Sequence, residues 1–223
     1  MSEKIVAFNP LDRGNLGASV ADAMLARKPY ALGDVPTFVG AGIYAIYYSG
    51  KFPAYRPIAK LNKQGELASP IYVGKAIPAG GRRGGATDVT STKTLSKRLM
   101  EHAQSIESAK NLAIEDFDCR FLVVEDIWIP LGESLLIAKF SPLWNVLIDG
   151  FGNHDPGSGR HAGLRPRWDV LHPGRSWANK CKARAETADE IRQDIEAFLR
   201  AHPPSASQLV VDPDSLVTKS DSD

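Results

Sequence analysis

Two residues of one predicted helix, Arg98 and His102, have side chains that can act on an anionic group. They lie four residues apart, so an α-helix places both side chains on the same face. A guanidinium can bind a phosphate through two parallel hydrogen bonds, and an imidazole can accept a proton near neutral pH. Most arginines and histidines on helices have no such task, so the pair gains weight only from the residues around it.

Tyr44 and Tyr72 lie on two predicted strands, where their hydroxyl groups can face one cleft. An ordinary tyrosine has a pKa near 10 and is a poor base at neutral pH. Positive charge from a metal ion, Arg98 or Lys75 would lower that pKa. We therefore expect Tyr44 to take a proton from an attacking water, with relay to His102, while Tyr72 positions the water or the substrate. The residues themselves leave an exchange of these two roles open.

Glu133 is the candidate metal ligand. Its carboxylate supplies the hard oxygen that Mg²⁺ prefers, and a single carboxylate suits an ion that keeps several waters, so we expect one Mg²⁺ per active site. Glu133 is also predicted to open a helix, where an acidic residue can simply complement the helix dipole. Activated water, bound anion and metal together are what the hydrolysis of a phosphodiester requires.

The elements that must position these residues follow the order β-β-α-β-α. Strands are predicted at Gly42–Tyr48, Pro70–Ala76 and 117–124, and helices over 91–108 and about 132–140. This order predicts a small α/β (α+β) unit with a three-stranded antiparallel sheet flanked by helices.

Four further segments surround this core, which we place at 38–148. An N-terminal arm (1–37) has a short helix near 18–26, and an insertion at 49–70 is too long for a simple hairpin connection. The segment 149–202 combines a basic loop, mostly irregular to residue 175, with a C-terminal helix that begins at Thr187 in a capping box with Glu190. The remainder, 203–223, is predicted to be a flexible tail.

The tripeptides Gly42-Ile43-Tyr44 and Tyr72-Val73-Gly74 resemble the two signature strands of the GIY-YIG nuclease superfamily. The remaining motifs follow in the family's order over residues 40–146, although Val73 replaces isoleucine and the gap between the tripeptides is longer than usual. The resemblance implies a catalytic set of six residues: Tyr44, Tyr72, Arg98, His102, Glu133 and Asn145. It also implies that Asn145 holds the neighbouring loop or the phosphate through its amide.

The long gap between the tripeptides resembles type II restriction endonucleases of this superfamily more than its repair or homing nucleases. It implies a Mg²⁺-dependent enzyme that cleaves double-stranded DNA at a short, GC-rich palindrome such as CCGCGG. A palindrome is read most simply by a homodimer with one active site per strand. A restriction nuclease is also expected to be paired functionally with a DNA methyltransferase. The first residues lack the long apolar segment of a signal peptide, so we expect a cytoplasmic protein of a prokaryotic cell. A structure-specific repair or homing nuclease and a DNA-binding module that does not cut are the alternatives.

The charge distribution indicates where DNA could bind. The net charge is only +1, but residues 75–98 hold six basic residues against one acidic residue, and residues 160–186 hold seven against two. Solvated loops would explain these segments equally well. The candidate DNA-binding residues, beside the insertion at 49–70, are Lys75, Arg82, Arg83, Arg160, Arg165 and Arg167. Most of these arginines would contact only phosphates, which position the protein without reading the sequence.

The composition is that of a globular protein without a membrane span. Of 223 residues, 43% are hydrophobic and 24% are charged, and no stretch approaches the roughly 20 apolar residues that a transmembrane helix needs. The cysteines, Cys119 and Cys181, have no metal-binding spacing, and we expect both to be reduced. The arm and the C-terminal helix remain as candidate dimer contacts, the latter through an apolar face that packs either on the core or on a second subunit.

Overall fold

The computed structural model describes residues 9, 11–64, 67–78, 92–153 and 162–204. Its sheet is antiparallel and consists of β1 (Tyr30–Ala31), β2 (Gly42–Tyr48), β3 (Pro70–Ala76) and β4 (Phe117–Val123) in the spatial order β1-β4-β2-β3. The sheet of a mixed α/β fold is therefore confirmed, with β1 as an additional strand contributed by the arm. Two exposed residues carry no periodicity, so a pattern of residue types could not predict β1.

Helices flank the sheet within the described residues. They are α1 (Arg13–Leu25), α2 (Arg56–Gln64), α3 (Thr94–Glu107), α4 (Ile129–Phe140), α5 (Leu143–Val146), α6 (Arg167–Leu171) and α7 (Ala188–Ala201). Short 3-10 helices occupy Leu32–Asp34, Pro53–Tyr55, Ile114–Asp116, Asp126–Trp128 and Ser176–Lys180.

The predicted start of α4 was wrong. The helix begins at Ile129 with Pro130 in its first turn, where a missing N–H costs nothing, so Glu133 lies one turn further in than expected. The explanation of Glu133 as a first-turn complement to the helix dipole therefore does not apply.

The central strand β2 is buried on both faces, and its alternating side chains divide the core into two layers. Tyr44, Ile46 and Tyr48 belong to the larger layer, which contains α3, α5 and α7. The opposite face packs against α1 and α4. In this smaller layer, a Cβ at Gly17 would lie 3.3 Å from the Leu135 side chain, so the two helices approach closely there.

The insertion at 49–70 is part of the core on its inner side. Tyr55 is fully buried, accepts a hydrogen bond from the Trp144 indole at 3.0 Å, and lies 2.6 Å from Nε2 of His172. Nδ1 of His172 lies 2.9 Å from the Asn111 amide oxygen, and burial lowers the pKa of this histidine to about 3. A neutral His172 therefore joins the insertion to the C-terminal part of the chain.

The C-terminal part includes one short helix in the segment that was predicted to be mostly irregular. It contains α6 within 149–175, and α7 has the predicted capping box, in which Thr187 and Glu190 bond reciprocally. Ile191, Ile195 and Leu199 pack into the larger core layer, so the apolar face of α7 is not available to a second subunit.

The two cysteines and the helices show two further features. Cys119 and Cys181 are both buried free thiols. Among the helices of the described residues, none is long and apolar enough to cross a membrane.

Candidate active site

The pairing of β2 with its two neighbouring strands, β3 and β4, explains both glycines of the two tripeptides. Tyr44 lies opposite Gly74, and a Cβ at Gly74 would lie 2.4 Å from Oη and 2.5 Å from Cζ of Tyr44. A Cβ at Gly42 would lie 1.9 Å from the carbonyl oxygen of Leu122 on β4. The sheet can therefore form with the Tyr44 ring lying across β3 because position 74 has no side chain.

Tyr44, Tyr72 and His102 form one cluster between the sheet and α3. Oη of Tyr44 lies 2.6 Å from Nε2 of His102, and the Tyr72 ring centroid is 6.2 Å from that of Tyr44 and 5.3 Å from that of His102. Tyr44 and His102 are buried, whereas Tyr72 is partly exposed. The Tyr44 hydroxyl therefore lies next to a buried imidazole, and the partly exposed Tyr72 ring lies beside both groups.

The environment holds both tyrosines in the protonated form. Burial raises the pKa of Tyr44 well above its ordinary value, and the Tyr72 hydroxyl adds to the shift. Arg98 lowers this pKa as expected, but its effect is smaller. Burial likewise raises the pKa of Tyr72. The net shift from the chain's own groups is therefore opposite to the sequence-based expectation, and at neutral pH Tyr44 is a phenol that can donate its proton to His102.

Arg98 lies beside both tyrosines and is held in place from two sides. Its Nη2 donates to the carbonyl oxygen of Gly152 at 2.7 Å, and its Nη1 lies 3.3 Å from Oε2 of Glu101. The side chain is 21% exposed, so the guanidinium borders the solvent while its charge acts on Tyr44 and Tyr72. This is a suitable position for binding an anionic group next to the two hydroxyls.

Lys75 and Glu133 form an ion pair that completes the cluster on the edge strand β3. Nζ of Lys75 lies 2.5 Å from Oε2 of Glu133, and the two side chains are 37% and 18% exposed. The negative charge of Glu133 also acts on Tyr72. Lys75, which we expected to contact DNA, is therefore a neighbour of the candidate metal ligand.

The single carboxylate of Glu133 suits Mg²⁺ better than it suits a metal ion that requires several protein ligands. No group of three or more His, Cys, Asp or Glu side chains suited to holding a metal occurs in the part of the chain that the structure describes. Glu133 already attracts a cation, the Lys75 ammonium group. An ion that keeps water and substrate oxygens as its other ligands can bind through such a single carboxylate.

Asn145 holds the strand that carries Tyr72. Its Nδ2 donates to the carbonyl oxygen of Val73 at 2.8 Å, and its Oδ1 accepts from the Val73 N–H at 2.8 Å. Because β3 is at the edge of the sheet, the outward-facing N–H and C=O of Val73 have no strand partner, and the amide takes its place. Of the two roles expected for Asn145, these contacts correspond to holding the protein chain.

Two residues of the site, Phe151 and Gly152, were absent from the sequence-based predictions. The Phe151 ring stacks on His102 with centroids 4.6 Å apart and meets Tyr72 edge-on at 5.0 Å. A Cβ at Gly152 would lie 2.6 Å from Oη of Tyr72. The sequence signal, an aromatic residue and a glycine in an irregular segment, was too common to distinguish them.

The other predicted DNA-binding residues do not gather at this cluster. Arg82, Arg83 and Arg160 lie outside the described residues. The Arg167 guanidinium, 12% exposed, bonds to the Leu147 carbonyl at 3.1 Å and pairs with Glu186 and Asp194, and Nε of Arg165 donates to the Ala178 carbonyl at 3.1 Å. These contacts tie the start of α6 and the residues just before it to neighbouring parts of the protein, and DNA binding by these arginines stays a prediction.

The chain resembles a known protein family over most of its length. A protein-family model described as the Eco29kI GIY-YIG domain matches residues 36–199, which include all six predicted catalytic residues as well as Phe151 and Gly152. No curated protein matches the chain.

Proposed function

The chain belongs to the family of the Eco29kI GIY-YIG domain, and on this premise we propose that it is a Mg²⁺-dependent type II restriction endonuclease acting on double-stranded DNA. The family supports a nuclease. The observation that carries the proposal is the 2.6 Å contact between Tyr44 and His102, with Tyr72 and Arg98 beside it. A protein that only binds DNA needs basic side chains, but it does not need a buried phenol–imidazole pair next to them.

The proton of the attacking water passes through Tyr44. As the water oxygen bonds to phosphorus, its proton moves to Oη of Tyr44 while the phenol proton moves to Nε2 of His102, so Tyr44 never has to exist as a free phenolate. The bond to the leaving oxygen breaks, and that oxygen takes its proton from solvent. Arg98 binds the scissile phosphate, and Tyr72 positions the water or a phosphate oxygen.

Glu133 would hold the metal. A bound Mg²⁺ supplies electrostatic stabilisation of the charge that develops on the phosphoryl oxygens. Lys75 places a second positive charge at the same carboxylate, so it can bind a phosphate oxygen beside the metal ligand. Phe151 covers one face of the His102 ring and excludes water from it.

The choice of a cleavage site on DNA requires more than the catalytic cluster of one subunit. We propose a homodimer that reads a short GC-rich palindrome, since two-fold symmetry places one active site on each strand. The inner faces of α1 and α7 pack within the chain, so contacts between subunits would use their outer faces or other surfaces. A partner methyltransferase that protects the host DNA, and a cytoplasmic location, belong to the same proposal.

Plasmid digestion in Mg²⁺ and in EDTA tests the proposal. Discrete fragments that require Mg²⁺ are expected, and sequencing of their ends gives the recognition site. Cleavage at branched structures would indicate a repair nuclease, whereas binding without cleavage under any divalent ion would indicate a binding module. Glu133→Gln should abolish Mg²⁺-dependent cutting, and unchanged cutting would refute its role as metal ligand.

Tyrosine variants identify the group that takes the proton. Tyr44→Phe should lower the cleavage rate by about 10²–10⁴-fold, the usual contribution of a general base. Tyr72→Phe should have a smaller effect, and Tyr30→Phe, on the partly exposed strand β1, serves as the control. Near-normal cleavage by Tyr44→Phe together with its loss in Tyr72→Phe would reverse the two roles.

A further inference from the structure

Arg175 is a buried arginine whose guanidinium binds a short loop from the inside. Its Nη1 donates to the carbonyl oxygens of Phe151 at 3.1 Å and Asn153 at 3.0 Å, and its Nη2 donates to that of Gly150 at 2.9 Å. The other side of the guanidinium forms a two-point ion pair with Asp169, at 2.7 and 2.6 Å. The side chains of Arg175 and Asp169 are 4% and 1% exposed.

The orientation of the guanidinium is fixed by more than this ion pair. Its Cζ lies 4.5 Å from the ring centroid of Trp168 and 4.8 Å from that of Trp177, so the planar group is held between two aromatic rings. Five N–H donors in a rigid plane can satisfy one carboxylate and three carbonyls at once, whereas an ammonium group is a point charge with three donors.

The loop held by Arg175, Gly150–Asn153, contacts the candidate active site through its other side. Gly152 accepts the hydrogen bond from Arg98, and Phe151 stacks on His102. Gly150 has a φ of 100°, a conformation that favours glycine, so the chain turns sharply here and is not supported by regular secondary structure. Arg175 donates to all three inward-facing carbonyls, and that of Gly150 also accepts from the Asn153 N–H at 3.1 Å.

We infer that Arg175 is a positioning residue of the active site, which acts through Gly150–Asn153 on Arg98 and His102. The inference rests on the proposed function, since positioning matters if this cluster cleaves phosphodiesters. Among the contacts of the described residues, Arg175 touches neither Arg98 nor His102. Misplacement of a phosphate-binding guanidinium or a proton acceptor by a fraction of an ångström lowers the rate of chemistry more than the affinity for DNA.

The first test compares Arg175→Lys with Arg120→Lys. Both arginines are buried, bond to backbone carbonyls and lie over aromatic rings, but Arg120 contacts Arg27, Leu67 and Tyr47 on the opposite face of the sheet from Tyr44. We expect Arg175→Lys to lower the single-turnover cleavage rate of a plasmid that the wild type cuts by about tenfold or more. Its Kd for a DNA fragment carrying the same site, measured with Ca²⁺ in place of Mg²⁺, should change by less than about twofold. Equal rates for the two lysine variants would overturn the inference.

The second test does not depend on activity. Side-chain NMR signals of His102 should shift in Arg175→Lys, because the stacked Phe151 ring moves, and should stay in place in Arg120→Lys. If the wild-type protein cuts no DNA, the proposed function fails while this measurement still decides whether Arg175 positions the site. Where Arg175→Lys does not fold, the double variant Asp169→Leu/Arg175→Met removes both buried charges and should show the same shifts. Unshifted His102 signals in a folded variant would refute positioning.

Discussion

Replacement of Asn145 by alanine distinguishes a residue that holds the protein chain from one that holds the substrate. The substitution removes both hydrogen bonds to Val73, whose side chain is fully buried on the sheet edge. If Asn145 served only to bind phosphate, its removal would lower activity and leave the stability of the free protein unchanged.

The expected loss of stability follows from the two groups that become unpaired. Each neutral hydrogen bond contributes about 1 kcal/mol, and leaving a buried donor or acceptor without a partner costs about 1–3 kcal/mol. Asn145 is partly exposed, so water can reach some of the freed positions. A decrease of about 2–4 kcal/mol in the free energy of unfolding is therefore expected. The cleavage rate should also fall, because Val73, which loses both hydrogen bonds, lies between Tyr72 and Gly74 on β3.

Urea denaturation and plasmid cleavage measure the two effects, with two control variants. Val146→Ala, next along α5 and 53% exposed, should change stability by less than about 0.5 kcal/mol. Asn62→Ala removes the side-chain hydrogen bonds that join Tyr48 and Ser69, away from the candidate active site. This variant should be less stable, but its folded fraction should still cut DNA. Unchanged stability of Asn145→Ala combined with loss of cleavage would refute the edge-holding role.

Two further substitutions probe the packing and the protonation of the core. Gly74→Ala places a methyl group 2.4 Å from Oη of Tyr44, so it should lower the free energy of unfolding by about 1–3 kcal/mol and break the contact with His102. Gly33→Ala, where the nearest atom lies at 3.2 Å, is the control. Equal activity of the two variants in plasmid digestion would contradict the close approach at Gly74. The pKa of His172 is about 3 in the folded protein, whereas its ordinary value is 6.5. Between these two pH values only the unfolded chain binds the proton, so the folded protein loses stability as the pH falls below 6.5. The loss between pH 7 and 5 should be about 2 kcal/mol and should be absent in His172→Gln, and the same pH dependence of urea denaturation in both proteins would disprove this source.

The sheet and the grouping of the candidate catalytic residues were predictable because their signals are local. The strands β2 and β3 begin and end at the predicted residues, since aromatic and β-branched side chains between glycine and proline define them. The spacing of Arg98 and His102 on α3 likewise follows from helical geometry alone. Glu133 was placed on the right helix but in the wrong turn, because no capping residue marks the start of α4 and the preceding 3-10 helix leads directly into it.

The contacts made by individual polar side chains were not predictable in the same way. Arg175 and Arg167 belong to a basic segment that the sequence suggested for DNA, yet both are largely buried and bond to carboxylates and carbonyls of the protein. Charge counts cannot distinguish an arginine that faces solvent from one that satisfies a loop, because the partners are distant in sequence.

The sequence by itself determined which chemical groups are present, which secondary structure presents them, and to which family the chain is similar. The tertiary structure decided what each group is next to: a histidine 2.6 Å from the Tyr44 hydroxyl, a carboxylate already paired with Lys75, and a loop that brings Phe151 to His102. It also decided that Tyr44 stays protonated. The physical reason is that pKa values and hydrogen bonds depend on burial and on neighbours within a few ångströms, and these arise when segments 50 or more residues apart pack together.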